Sequence, residues 1–140
     1  MLRCHWGKVY FNGRNPLSPQ NGEAKFYQVV GYYLDRGYAT VSYGNLVELT
    51  CDNGAFAKYA HLQRFEGVDL KYKSIRNPGS TQKKCTNYSK QPIGSRRVNK
   101  GDIIGYVGNI GNTGGKTGVH LHFELYINGS RQNINQYFNQ

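Results

Sequence analysis

Acidic residues are scarce in this chain: eight Asp and Glu stand against 18 Lys and Arg, which leaves 140 residues at a net +10. A surface with that imbalance is drawn to polyanions, so nucleic acid, an anionic membrane and an anionic cell wall are the partner classes to weigh. Long hydrophobic runs are missing as well. Ile103 to Val107 in GDIIGYV is among the longest, far below the roughly 18 residues a membrane-spanning helix needs, so a transmembrane reading is excluded. Cysteine is sparse, and Cys4, Cys51 and Cys85 show no CxxC spacing. A structural zinc cluster and a thioredoxin-type redox pair are therefore excluded, while one disulfide plus one thiol remains possible. No stretch of amphipathic helical length stands out, and no repeat of roughly 20 to 50 residues is present. The opening MLRCHWGK lacks the continuous apolar segment of a signal peptide, which predicts a trimmed mature domain or export by another route.

Aromatics are plentiful. Twelve Tyr, six Phe and one Trp supply burial that a disordered chain lacks, and the length suits one domain over residues 1–140 with one core. Eighteen glycines and four prolines punctuate short segments rich in Val, Ile, Tyr and Phe, the pattern of many strands joined by turns. A mostly β fold is predicted, with a central antiparallel sheet and a substrate groove walled by loops. NLVEL and FAKYAHL flank Asn53-Gly54, a strong hairpin signal, which puts His61 near the end of the second strand. Gly101-Asp102 turns into the Ile103 to Val107 strand, and VHLHFELYING reads as an alternating strand ending at Asn128-Gly129. Between those last two strands, GNIGNTGGKTG lacks the GxxxxGK[ST] spacing of a phosphate loop and reads as a loop feeding a strand. RQNINQYF suits a short terminal turn.

A basic loop insertion is expected at about 66–97, between a strand ending at Leu62 and another opening at Val98. It carries eight of the 18 basic residues: Lys71, Lys73, Arg76, Lys83, Lys84, Lys90, Arg96 and Arg97. A connection of this length is either the rim of a binding groove or a floppy insertion. A disulfide between Cys51 and Cys85 would tie it to the hairpin before His61 and stiffen that wall.

Chemistry concentrates in the four histidines, His5, His61, His120 and His122. Residues i and i+2 of a strand face the same side about 6.5 to 7 Å apart, so the imidazoles of His120 and His122 project into one site. Two histidines at that spacing also suit plain surface or core packing. Glu124 extends the row, and an imidazole-rich set with a carboxylate suits zinc. HExxH is absent, so a zinc peptidase here is of another kind.

The succession YGNLVEL, NG, YAHL, VNKGDIIGYVGN and TG-x-HLHFEL, from about Tyr43 to Leu125, resembles the lysostaphin-type (LytM-like) zinc metalloendopeptidases, bacterial and phage enzymes that hydrolyse peptide crosslinks of peptidoglycan. The resemblance implies a zinc ion as cofactor, a peptidoglycan peptide as substrate and an extracellular or periplasmic place in the cell envelope. It also implies a role for each histidine. His122 is similar to the zinc-ligating second histidine of HxH, His120 to the histidine beside the attacking water, and His61 to the one that stabilises the oxyanion or positions that water. Glu124 falls in the HFE continuation and orients an imidazole. His5 resembles the histidine of the family's first metal motif, HxGxD, but in His5-Trp6-Gly7-Lys8-Val9 a valine stands where the aspartate belongs. That departure supports a second reading, a zinc-deficient relative that binds cell wall or regulates another hydrolase. Anionic wall polymers would suit the +10 charge in either case. A nucleic-acid partner is the third reading, with no recognisable binding motif behind it.

Overall fold

A computed structural model of the protein describes residues 3–5, 8–10, 21–34, 36–76, 86–111 and 121–133, with backbone alone for 3–5, 8–10 and 86. Ten strands appear there and no helix among the described residues: β1 (Arg3–His5), β2 (Lys8–Tyr10), β3 (Gly22–Tyr33), β4 (Gly37–Cys51), β5 (Ala55–Ala60), β6 (Arg64–Phe65), β7 (Thr86–Val98), β8 (Ile103–Tyr106), β9 (His122–Ile127) and β10 (Ser130–Arg131). Alternation explains the longer ones. GEAKF in β3 alternates buried and exposed, and AFAKY in β5 alternates buried and half-buried, as a strand with one face on the core must.

The strands form an antiparallel six-stranded sheet in the order β10-β9-β5-β4-β3-β7 and a four-stranded sheet in the order β1-β2-β8-β6. The main core lies between them. Ala24, Phe26, Val47, Leu49, Ala57, Tyr59, Phe123 and Leu125 of the larger sheet meet Phe65 and Ile104 of the smaller, and Phe26 sets its ring edge-on to Phe65 at 5.2 Å. A second cluster, with Val29, Tyr33, Val41, Leu46 and Ala60, has Tyr43 and Ile75 packed against it. The expected hairpins form as read: Asp52 to Gly54 joins β4 to β5, and Asn128-Gly129 joins β9 to β10.

The basic insertion corrects one expectation. Residues 66–97 were expected as a loop, but 86–98 form β7, a 13-residue strand along the edge of the larger sheet. It pairs with β3 from Gly22↔Val98 to Tyr32↔Thr86. Its polarity hid it, because an edge strand with its side chains largely in water has no apolar alternation to display. Pro92 is tolerated there for the same reason, since the ladder loses only one donor at an edge.

Residues 71–76 are stitched down rather than loose. Buried Gln28 accepts hydrogen bonds from the backbone N–H groups of Lys71 (2.8 Å) and Tyr72 (2.9 Å) and donates to Asn45 Oδ1 (2.9 Å) and to the Tyr72 carbonyl (3.1 Å). Asn45 donates in turn to Ser74 Oγ and to the Leu62 carbonyl. Thr40 Oγ1 both accepts from the Ile75 N–H and donates to its carbonyl. Buried amides that complete their hydrogen bonds in this way fix a loop that burial of its own side chains would not hold. Cys51 is buried, while the Cys85 of the expected pairing lies outside the described residues. So does the expected terminal turn beyond Asn133.

Candidate active site

His61 and His122 arrive from adjacent strands. Ala60 ends β5 opposite His122, which opens β9, and the next residue turns out of the sheet: His61 has φ of +60°, a left-handed backbone that a histidine adopts only when the surroundings hold it there. Two contacts do so. The His61 N–H donates to the Tyr43 carbonyl at 2.9 Å, and its ring Nδ1 lies 2.7 Å from the Ile110 carbonyl. A carbonyl can only accept, so Nδ1 carries the proton, and in the neutral ring Nε2 is the nitrogen able to take one up. The ring is 5% exposed and stands nearly perpendicular to that of His122, with centroids 5.5 Å apart.

The Ile110 carbonyl is itself fixed by close backbone packing. Gly111 (φ +87°) lies so near β4 that a Cβ on it would sit 2.4 Å from the Ser42 carbonyl oxygen and 2.8 Å from the Gly44 nitrogen. Only glycine allows that approach and that φ. Gly111→Ala is expected to destabilise the protein by about 1–3 kcal/mol, read as a lower urea midpoint. An unchanged midpoint would show that the segment does not need this contact.

His122 has its own anchor. Its Nε2 lies 2.6 Å from Glu124 Oε2, two residues on along the same face of β9. Tyr43 Oη donates to the same oxygen at 2.7 Å, and Tyr126 Oη donates to Glu124 Oε1. Glu124 is 2% exposed. Burial alone would raise its pKa, but hydrogen bonds from Tyr126, Tyr43 and His122 overcome that and hold it down at about 2, so it is a carboxylate throughout the physiological range. The same contact works the other way on Tyr43: burial and then the Glu124 hydrogen bond push its hydroxyl up to about 12, keeping it a donor.

With Nε2–H given to a carboxylate, Nδ1 is the lone-pair nitrogen of His122, and among the described residues it has no hydrogen bond. A carboxylate that fixes the far nitrogen of an imidazole is the arrangement that orients a histidine as a metal ligand. The donor chemistry at His122 therefore fits zinc. Among the described residues no three His, Cys, Asp or Glu side chains gather as a metal cluster. His5 ends β1, paired with Lys8 in the four-stranded sheet, with its side chain outside the described residues, and Val9 pairs with Cys4 and Gly105. His120 and residues 112–118 of the glycine-rich loop also lie outside them.

Of the expected residues, the structure thus brings together His61, His122 and Glu124. Sequence reasoning missed Tyr43 and Tyr126. Tyr126 had a signal, since it follows Glu124 by the strand period of two. Tyr43 opens the YGNLVEL segment, but nothing local tied it to a residue 81 positions away.

Residues 86–134 match the family model for Peptidase family M23. The chain is of mostly β architecture built on a central antiparallel sheet. No curated protein matches it. Among solved structures it is similar to the crystal structure of the catalytic domain of the prophage-encoded M23 protein EnpA from Enterococcus faecalis, in a mutant with histidine in place of an alanine. That likeness has 19% identity, covers 92% of each chain and gives a TM-score of 0.39.

Proposed function

We propose that this protein is a zinc-dependent endopeptidase that hydrolyses peptide crosslinks of bacterial peptidoglycan outside the cytoplasm. The observation that carries the reading is the pair of oppositely fixed imidazoles: His122 anchored through Nε2 on Glu124, and His61 anchored through Nδ1 on the Ile110 carbonyl. Each ring is fixed through one defined nitrogen, which packing histidines do not require. His122 would hold the metal through Nδ1, with His5 as the second histidine of the set. Zinc, when bound, supplies a Lewis acid that polarises the scissile carbonyl and acidifies a water.

This chain's own residues do the rest. His61, protonated at Nδ1, accepts a proton or stabilises developing negative charge through Nε2, and His120 is assigned the proton of the attacking water. Glu124 stays ionised and holds the Nε2–H of His122, while Tyr43 and Tyr126 keep the carboxylate from turning away. The +10 charge draws the protein to anionic wall polymers.

The test is zinc content by elemental analysis together with release of new amino groups from purified peptidoglycan. About one zinc per chain and chelator-sensitive release are expected. A chain that takes up no zinc at micromolar exposure and releases no amine, yet sediments with cell wall, is instead the wall-binding relative that Val9 suggests.

A further inference from the structure

The face of the sheet that carries the site continues well beyond it. Register places Ser95, Lys25, Glu48, Lys58 and Glu124 side by side across β7, β3, β4, β5 and β9. The next row on the same face holds Pro92, Tyr27 and Leu46, and two residues along β5 from Lys58, Ala60 lies opposite His122. The far end of both rows is a hollow of about 410 Å³ lined by Lys25, Tyr27, Pro92, Ile93, Gly94 and Ser95. A bulge makes it: Phe26 pairs with Gly94 and Tyr27 with Pro92, so Ile93 is one residue too many.

The charge in this hollow is unbalanced. Glu48, the carboxylate beside it, is taken by Lys90 at 2.9 Å and Lys58 at 3.9 Å. Glu23 lies opposite Arg97, whose own partner is Asp52. Lys25 is exposed and has no ion pair among the described residues. Lys90 lies 4.5 Å from the centre of the Tyr27 ring and is paired with Glu48. An ammonium over an apolar floor of tyrosine and proline is suited to a carboxylate carried on a chain.

We infer that this hollow is a distal subsite that holds a carboxylate-bearing part of the substrate, on the same face as the bond cut at His122. The inference rests on the peptidase reading above. From β3 to β9 is three strand spacings, about 14 Å, which four or five extended residues span. A substrate shorter than that never reaches Lys25.

Cleavage is measured for wild type, Lys25→Glu and Lys100→Glu on purified peptidoglycan fragments and on the shortest wall peptide that wild type cuts. Lys100 lies in the exposed turn before β8 and controls for the change in net charge. Lys25→Glu is expected to raise KM for the fragments about three- to tenfold relative to Lys100→Glu, with kcat and cleavage of the short peptide unchanged. Equal KM values for the two variants, or an equal loss on the short peptide, would overturn the distal subsite. A wild type that cuts neither substrate would remove the peptidase reading and the subsite with it.

Discussion

His122→Ala is expected to lose zinc and peptide-bond cleavage together, the latter by at least about 10³-fold, whereas His61→Ala keeps its zinc and loses about 10²- to 10⁴-fold in kcat. The split follows from the two anchors. His122 presents Nδ1 because Glu124 holds Nε2, so removing it deletes a metal donor. His61 presents Nε2 because the Ile110 carbonyl holds Nδ1, so removing it deletes a proton acceptor or charge stabiliser and no donor of that set. Circular dichroism should show both variants folded. Elemental analysis beside single-turnover cleavage decides the matter, and His61→Ala losing its zinc would move that residue into the metal set. A smaller effect is expected at the carboxylate: Glu124→Gln weakens zinc about 10- to 100-fold, as loss of a hydrogen-bonded carboxylate behind a ligand does.

Gln28→Leu is expected to cost about 2–4 kcal/mol, a fall of roughly 10 °C in Tm. Leucine fills nearly the same space, so little cavity forms and the loss is one of hydrogen bonds. The N–H groups of Lys71 and Tyr72 lose their acceptor, and Asn45 Oδ1 loses its donor, at a side chain with no exposure at all. Because Asn45 also holds Ser74 and the Leu62 carbonyl next to His61, the variant should open the 71–76 loop first. Hydrogen exchange would report that opening at Tyr72 ahead of the β3–β4 ladder, and uniform exchange across both would show that Gln28 does not act through the loop.

Periodicity made most of the strands legible. β5 and β9 declare themselves by alternation, and the Asn-Gly pairs at 53–54 and 128–129 end strands where a chain of this handedness turns most readily. β7 was invisible to the same reasoning, since a polar edge strand is specified by the strand it pairs with. The site divided in the same way. His122 and Glu124 were readable because two residues apart in a strand is a local relation. Tyr43 was not, because its hydroxyl meets Glu124 only after β4, β5 and β9 have been laid side by side.

The sequence by itself determined the β architecture, the candidate histidines and the strongly basic net charge, since alternation, turn chemistry and net charge are properties of neighbours along the chain and of their sum. Only the tertiary structure decided which nitrogen of His61 and His122 is anchored, that Gln28 and Asn45 pin the basic loop, and that Lys25 shares a face with the site. Those are relations between residues distant in the chain, and strand register, set by burying one face of each sheet, is what brings them together.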